Sequence, residues 1–520
     1  MHDVLCITEL LDVICQFATR STLAKLARTC RAFEEPALDA LWKDLETLAP
    51  LSNCLPPALW GELDGVTILR RPLSSDHWRL LRKYSSRICT VQKNIFFGRY
   101  FRQLLAVASH STPPAPLFPK LKAVLLNRIT DETIPLFRWM IGPSITKLEL
   151  SLSIIKATPA TLSFMSSLGM LCPNMRSVLL EVDHLEKSQA EVMAASMSQA
   201  ICQWYHLQNA SFSSLDAFAY EHLSQLKSLT TLKLFLSRDA PTQLGEAELC
   251  PTPFPSLTNL TIGAVSIEVM SAWLSCLHLA PTNLTCNIHD VPFTPTTLYE
   301  LCSTIQKHCC PHSLRSIDLD DLRSRYGETV VLLDDIQPLL EFRHLRSVTL
   351  HELCTIALDD HALEELATAW PQLEVLHLNR YAKLEPAASI PTFRGLFHLV
   401  RLCPNLRELS IVIDLTKTEW IDIRRPSDEG VCNSALSTLI LGNSPLDDPK
   451  RVAFILGAVF PCLAGINLDD WDYLPLYLSP ERDTSLPLWC QLNDYLADFG
   501  IVREQEIRRM QAAPEKVIES

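Results

Sequence analysis

Apolar positions along this chain follow two rhythms. From Leu117 onward a phrase recurs in loose form: a proline, a polar residue, then Leu-x-x-Leu-x-Leu. Its instances are Leu121/Val124/Leu126, Ile145/Leu148/Leu150, Met175/Val178/Leu180, Leu207/Ala210/Phe212, Leu229/Leu232/Leu234 and Leu257/Leu260/Ile262. They continue as Leu314/Ile317/Leu319, Leu345/Val348/Leu350, Leu373/Leu376/Leu378, Leu406/Leu409/Ile411, Leu436/Leu439/Leu441 and Leu463/Ile466/Leu468. With an imperfect instance near Leu284 counted, neighbours lie 22 to 33 residues apart. The last two apolar positions of each phrase stand two residues apart, the period that puts them on one face of a strand. Between the phrases run helical patterns, among them Leu363–Trp370, Leu396–Leu402 and Val452–Phe460. Pro119, Pro143, Pro173, Pro255, Pro371, Pro404 and Pro461 stand just ahead of the strands. A proline disfavours the helical region in the residue before it, so each unit reads as helix, proline-marked turn, short strand.

One such unit cannot bury its own apolar face, whereas stacked units can. The leucine skeleton resembles leucine-rich repeats. The resemblance implies an α/β fold, an irregular solenoid with a parallel sheet on its concave face and helices outside. Such repeats usually carry Asn or Cys three residues after the last strand leucine, where the side chain satisfies turn backbone. Here those positions hold Ile129, Ser153, Asp183, Ser237, Val265, Leu353, Tyr381 and Asp414. The turns must therefore be satisfied unit by unit.

The other rhythm opens the chain. Glu9 to Thr19 predicts an amphipathic helix with Leu10, Ile14 and Phe17 along one side. Ser21 or Thr22 is the expected cap of a second helix, Leu23 to about Cys30. A third, Glu34 to Leu45, has Pro36 near its first turn and carries Leu38, Leu41, Trp42 and Leu45. Three short helices of this kind have more apolar surface than they can hide, and a domain of about forty residues usually needs a partner or a covalent staple. They serve either as a helical cap on the rest of the chain or as a docking surface.

Glu-Leu-Leu-x-x-Ile-Cys at 9–15, Leu-x-x-Leu-Ala-x-Thr-Cys-x-x-Phe at 23–33 and Ala-Leu-x-x-Leu-Trp at 37–42 resemble the F-box, in the form found in large fungal F-box protein sets. The family usually opens Leu-Pro or Ile-Pro; this chain has Ile7-Thr8. The resemblance implies that residues 1–45 dock on a Skp-type adaptor, and through it on a cullin–RING ubiquitin ligase, with Ile7, Leu10, Leu11, Ile14, Leu23, Leu26 and Cys30 facing the adaptor. Residues 46–62, with Pro50 and Pro56-Pro57, read as a linker, 63–499 as the repeat solenoid and 500–520 as a charged tail whose helix ends near Met510. Within the solenoid region, Leu63 to Leu69 and Ile88 to Val91 are expected strands and Ser75 to Tyr84 an expected helix.

Composition narrows the function. Only 14 glycines in 520 residues leave little for phosphate-cradling loops. The net charge of −13, without a long basic run, speaks against nucleic acid and anionic membranes as partners. The first residues lack a secretory-signal pattern, so the 18 cysteines are expected to be reduced thiols in an intracellular protein, cytoplasmic or nuclear, with the sequons at Asn209, Asn259 and Asn283 unused. No nucleotide, zinc-protease or serine-hydrolase motif is present. His308-Cys309-Cys310-Pro311-His312 is the nearest thing to a ligand cluster, but adjacent cysteines before a proline do not easily point at one ion; no metal or cofactor is expected. Asp318-Leu-Asp-Asp321, Asp334-Asp335, Asp359-Asp360, Asp447-Asp448 and Asp469-Asp470 are expected mainly at helix starts. Tyr381, Trp471 and Tyr473 are either a binding hot spot or packing between units. The leading reading is a non-catalytic substrate receptor of an SCF-type ubiquitin ligase, with the repeats holding a protein substrate. The alternative is a leucine-rich-repeat scaffold outside a ubiquitin ligase, its N-terminal helices acting as a cap.

Overall fold

A computed structural model describes residues 8–63, 66–92, 103–104, 106–107, 116–129, 133–153, 157–183, 187–213, 215–246, 249, 252–289, 294–321, 330–350, 355–379, 390–425, 431–468, 471 and 482–512. The chain divides into two compact units, Met1–Leu234 with Thr242–Ser256, and Phe235–Pro241 with Leu257–Ser520.

The first unit begins with α1 (Thr8–Gln16), α2 (Arg20–Leu26) and α3 (Arg31–Lys43). The cap of α2 is Thr19, whose hydroxyl accepts from the Thr22 amide, rather than Ser21 or Thr22. Ser21 and Thr22 lie inside the helix because Thr19 already holds the extended backbone a cap requires. Likewise α3 starts at Arg31, so Pro36 falls in its second turn, where it removes one backbone donor. From α3 the chain passes directly into β1 (Asp44–Leu45).

The stretch expected as a linker contains the helical turn Ala49–Ser52 and the tight turn Pro57–Leu59, with Leu48, Leu51, Leu55, Leu59 and Trp60 buried. The single strand expected over Leu63–Leu69 is instead an antiparallel hairpin of β2 (Trp60–Leu63) and β3 (Val66–Leu69). The Asp64-Gly65 pair between them is a composition suited to hairpin turns. Helix Ser75–Ser85 follows, closed at its start by a reciprocal Ser74/His77 capping box.

The parallel sheet of this unit starts with β1 against β4 (Thr90–Gln92) and proceeds in chain order through β5 (Ala123–Ile129), β6 (Lys147–Ser153), β7 (Ser177–Asp183), β8 (Asn209–Phe212) and β9 (Thr231–Leu236). Register puts Val124, Leu148, Val178, Ala210 and Leu232 side by side, all buried. These are the middle residues of successive sequence phrases.

The second unit repeats the plan with β10 (Asn259–Ala264), β11 (Asn283–Ile288) and β12 (Ser316–Asp321). A side pair, β13 (Val330–Val331) with β15 (Thr355–Ile356), flanks β14 (Ser347–Thr349), and β16 (Val375–His377), β17 (Glu408–Ser410) and β18 (Thr438–Ile440) complete the sheet. Leu260, Leu284, Ile317, Val348, Leu376, Leu409 and Leu439 form one buried row. The imperfect phrase at Leu284 is thus a full member of the sheet. The phrase at Leu463/Ile466/Leu468 is not a strand, although the Asn467 amide donates to the Leu439 carbonyl (2.9 Å).

The prolines act as the pattern predicts. Helices Pro159–Leu171, Asp360–Ala369, Phe393–Leu402 and Pro449–Val459 each stop at a residue that precedes proline: Cys172, Trp370, Cys403 and Phe460. All four share φ near −120° and ψ of 62–74°, away from the helical region that a following proline disfavours. All four are fully buried, so the chain reversal itself supplies core side chains. Trp370 donates its indole N–H to the Leu339 carbonyl (3.2 Å), and Trp204 donates to the Cys172 carbonyl (2.9 Å). Each bond reaches back one repeat and satisfies a buried turn carbonyl.

Turn satisfaction does proceed unit by unit. Ser213 Oγ accepts from the Val182 amide and Ser444 Oγ from the Ile413 amide. Asn379 brackets Ile356, accepting from its amide (2.9 Å) and donating to its carbonyl (2.7 Å).

The last described element is helix Arg482–Ala512, which packs along Pro449–Val459 and ends close to the expected Met510. Phe499 stacks on Phe454, and Arg503 donates to the carbonyls of Gly457 and Pro461.

Candidate functional site

Helix α1 carries two apolar faces. Cys15, with Ala18 just beyond the helix, packs with Leu23, Leu26, Ala27, Ala37, Ala40 and Leu41, and Leu11 is also buried. The other face holds Leu10, Val13, Ile14 and, one residue past the helix end, Phe17, at the i, i+3, i+4, i+7 spacing that aligns side chains along a helix. Their exposures are 40, 49, 45 and 86%. An aromatic side chain left almost wholly in water beside three half-exposed aliphatic ones is a contiguous apolar surface, the kind that marks a protein contact.

The surface stands on a fixed base. Trp42 of α3 is buried and stacks on Tyr84 with ring centroids 4.6 Å apart. Arg87, largely buried, pairs with Glu35 (2.5 Å) and with Asp39 of α3. Burial alone would lower the Arg87 pKa, but its hydrogen bonds to the two carboxylates outweigh this and raise it. Lys83 adds a longer pair with Glu34 (3.5 Å).

The residues expected to face an adaptor therefore separate. Leu10 and Ile14 lie on the open face. Leu11 and Leu23 are 2 and 4% exposed and lie in the interior, Leu23 packed with Cys15 and Ala37. Leu26 and Cys30 are half-buried. Ile7 lies outside the described residues. Val13 and Phe17 were not among the expected contact residues, although their spacing relative to Leu10 and Ile14 is visible in the sequence.

The remaining candidates have structural roles. His308 Nδ1 bonds the Leu277 carbonyl (2.9 Å) while Cys309 is buried, its pKa pushed up to about 12 mainly by burial. Among the described residues no group of three or more His, Cys, Asp or Glu side chains is placed to hold a metal ion. Burial likewise raises the Cys172 and Cys403 thiols to about 12, which suits packing rather than nucleophilic attack. Asp359 and Asp448 cap helices, accepting from Ala362 and Arg451 amides. Asp318 and Asp320 depart from the helix-start expectation and lie within β12, while Asp469-Asp470 lie outside the described residues. Trp471 is buried against Trp489, with centroids 5.9 Å apart; it packs between elements rather than offering a hot spot. Tyr381 and Tyr473 lie outside the described residues. The sequons share one origin: Asn209, Asn259 and Asn283 each open a strand, and Asn283 Nδ2 bonds Asn259 Oδ1 (2.6 Å). No described helix is long and apolar enough to cross a membrane.

No protein-family model and no curated protein matches this sequence. Among solved structures, the chain is similar to one in the crystal structure of the yeast Rad7 and Elc1 complex, with 16% identity over 74% of this chain and 92% of that one, at a TM-score of 0.37. It is also similar to the leucine-rich-repeat-containing protein LegL7 from Legionella pneumophila, with 16% identity over 54% of this chain and 90% of that one, at a TM-score of 0.31. The strand register and the helix-proline-strand units define the class on their own: an α/β protein with a leucine-rich-repeat-like fold.

Proposed function

We propose that this chain is a non-catalytic substrate receptor of an SCF-type cullin–RING ubiquitin ligase. In this reading the N-terminal helices dock on a Skp-type adaptor and the repeats hold a protein substrate. The observation that carries it is the open apolar face of α1, Leu10, Val13, Ile14 and Phe17, on a segment whose sequence resembles the F-box. Ubiquitin transfer would belong to other subunits, so the chain needs no activated nucleophile. The scaffold reading has its own support: α3 continues into β1, which pairs with β4, so the helices also close the first edge of a sheet. The two roles are compatible, because closing the edge uses α3 and leaves the outer face of α1 free.

Co-expression of the full chain with a Skp-type adaptor tests the proposal. The wild type should co-purify with the adaptor. Phe17→Asp and Ile14→Asp should each weaken capture by about tenfold or more, the loss typical of a buried anchor worth about 1.4 kcal/mol or above, with thermal melting unchanged. Failure of the wild type to capture the adaptor, or full capture by both variants, would leave the scaffold reading.

A further inference from the structure

The end of helix Arg482–Ala512 presents a second apolar surface, independent of α1. Phe499, Val502, Arg503, Glu506, Ile507 and Met510 line a groove of about 360 Å³ along one helix face. Arg503 is the last of these residues bonded to the body, through the Gly457 and Pro461 carbonyls. Beyond it every residue from Glu504 to Gln511 is exposed. Val502, Ile507 and Met510 are 57, 48 and 72% exposed. A two-turn helical end carrying such side chains is marginal by itself, since helical stability comes chiefly from packing an apolar face.

The order of residues in the groove names what fits it. Reversed about a point midway between Glu504 and Gln505, the set maps onto itself: Phe499 falls opposite Met510, Val502 opposite Ile507, and Arg503 opposite Glu506. Apolar meets apolar and cation meets anion. That is the self-complementarity a two-fold interface demands, in which residue i meets j and j meets i. We propose that the occupant is the same helix of a second copy of this chain, packed antiparallel, so that the protein forms a two-fold dimer through residues 499–510. Parallel pairing would set Arg503 against Arg503 and Glu506 against Glu506.

Sedimentation of the full chain tests this. The wild type should show a concentration-dependent monomer–dimer equilibrium. Ile507→Glu, at an exposed position, should raise the dissociation constant at least about tenfold without lowering the melting temperature, and Glu506→Lys should do likewise by facing Arg503 with a like charge. Val502→Glu and Ile507→Lys chains, each weakened alone, should associate with each other when mixed under different tags. In the antiparallel register the introduced charges meet as a pair on one side and the native Val502–Ile507 contact remains on the other. A chain monomeric at every concentration overturns the proposal. So does a dimer indifferent to Ile507→Glu and Glu506→Lys, or one lost with Phe17→Asp instead. Absence of recovery on mixing overturns the antiparallel register.

Discussion

Asp360 and Gly395 show how one residue choice joins two repeats. Asp359 caps its own helix, whereas the Asp360 carboxylate turns to the next one. It accepts from the Thr392 amide (2.6 Å), the Gly395 amide (2.9 Å) and the Thr392 hydroxyl (2.8 Å). A Cβ on Gly395 would lie 2.7 Å from Asp360 Oδ1 and 3.1 Å from its Cα. Alanine normally stabilises a helix interior relative to glycine by up to about 1 kcal/mol. Here Gly395→Ala should instead destabilise by about 1–3 kcal/mol, the range for overpacking, read as a lowered urea midpoint. His222 gives a pH signature. Burial lowers its pKa from the ordinary 6.5, and its bond to the Trp204 carbonyl only partly offsets this. The unfolded chain then binds more protons than the folded one below about pH 6.5, so stability is complete above that value and declines as pH falls through it. His222→Gln should flatten that part of the stability-versus-pH profile in urea titrations.

Among the elements, the C-terminal helix does what the last phrase cannot. Among the described residues no strand follows Ile466, and Asn493 satisfies its backbone, accepting from the Ile466 amide (2.7 Å) and donating to its carbonyl (3.0 Å). Asn493→Ala should strand both groups and cost about 1–3 kcal/mol, visible as faster amide exchange over residues 462–468. The leucine phrase at 463–468 could not reveal this, because its pattern does not show that a side chain 27 residues away takes both backbone groups of Ile466. The same limit applies to α1. Its spacing shows two apolar faces, but which one turns inward depends on α2 and α3. Cys15 packs with Leu23 and Ala37 and Leu11 is buried, while Leu10 faces water. Choosing contact residues from sequence alone therefore mixed the interior face with the exterior one.

At the scale of the whole chain, stacked repeats are stabilised by nearest neighbours, and the in-register leucine rows are the physical form of that stacking. The buried thiols, the indoles that reach back one repeat and the carboxylates that cap helices are all absorbed by it. Apolar surface stays available on α1 and on the last turns of the C-terminal helix, among other exposed apolar side chains, and both proposals rest on these two places.

The repeat phrase determined most of the strands, their order and their parallel sense, because parallel neighbours need long crossovers and a following proline disfavours the helical region in the residue before it. It also marked the Cys172, Trp370, Cys403 and Phe460 positions as turns. The tertiary structure alone decided the inner and outer faces of α1, the direct passage of α3 into β1, the hairpin at Trp60–Leu69 and the closure of the last repeat by Asn493. Each of these depends on contacts between residues distant in sequence, whereas periodicity reports only the local face a side chain shares.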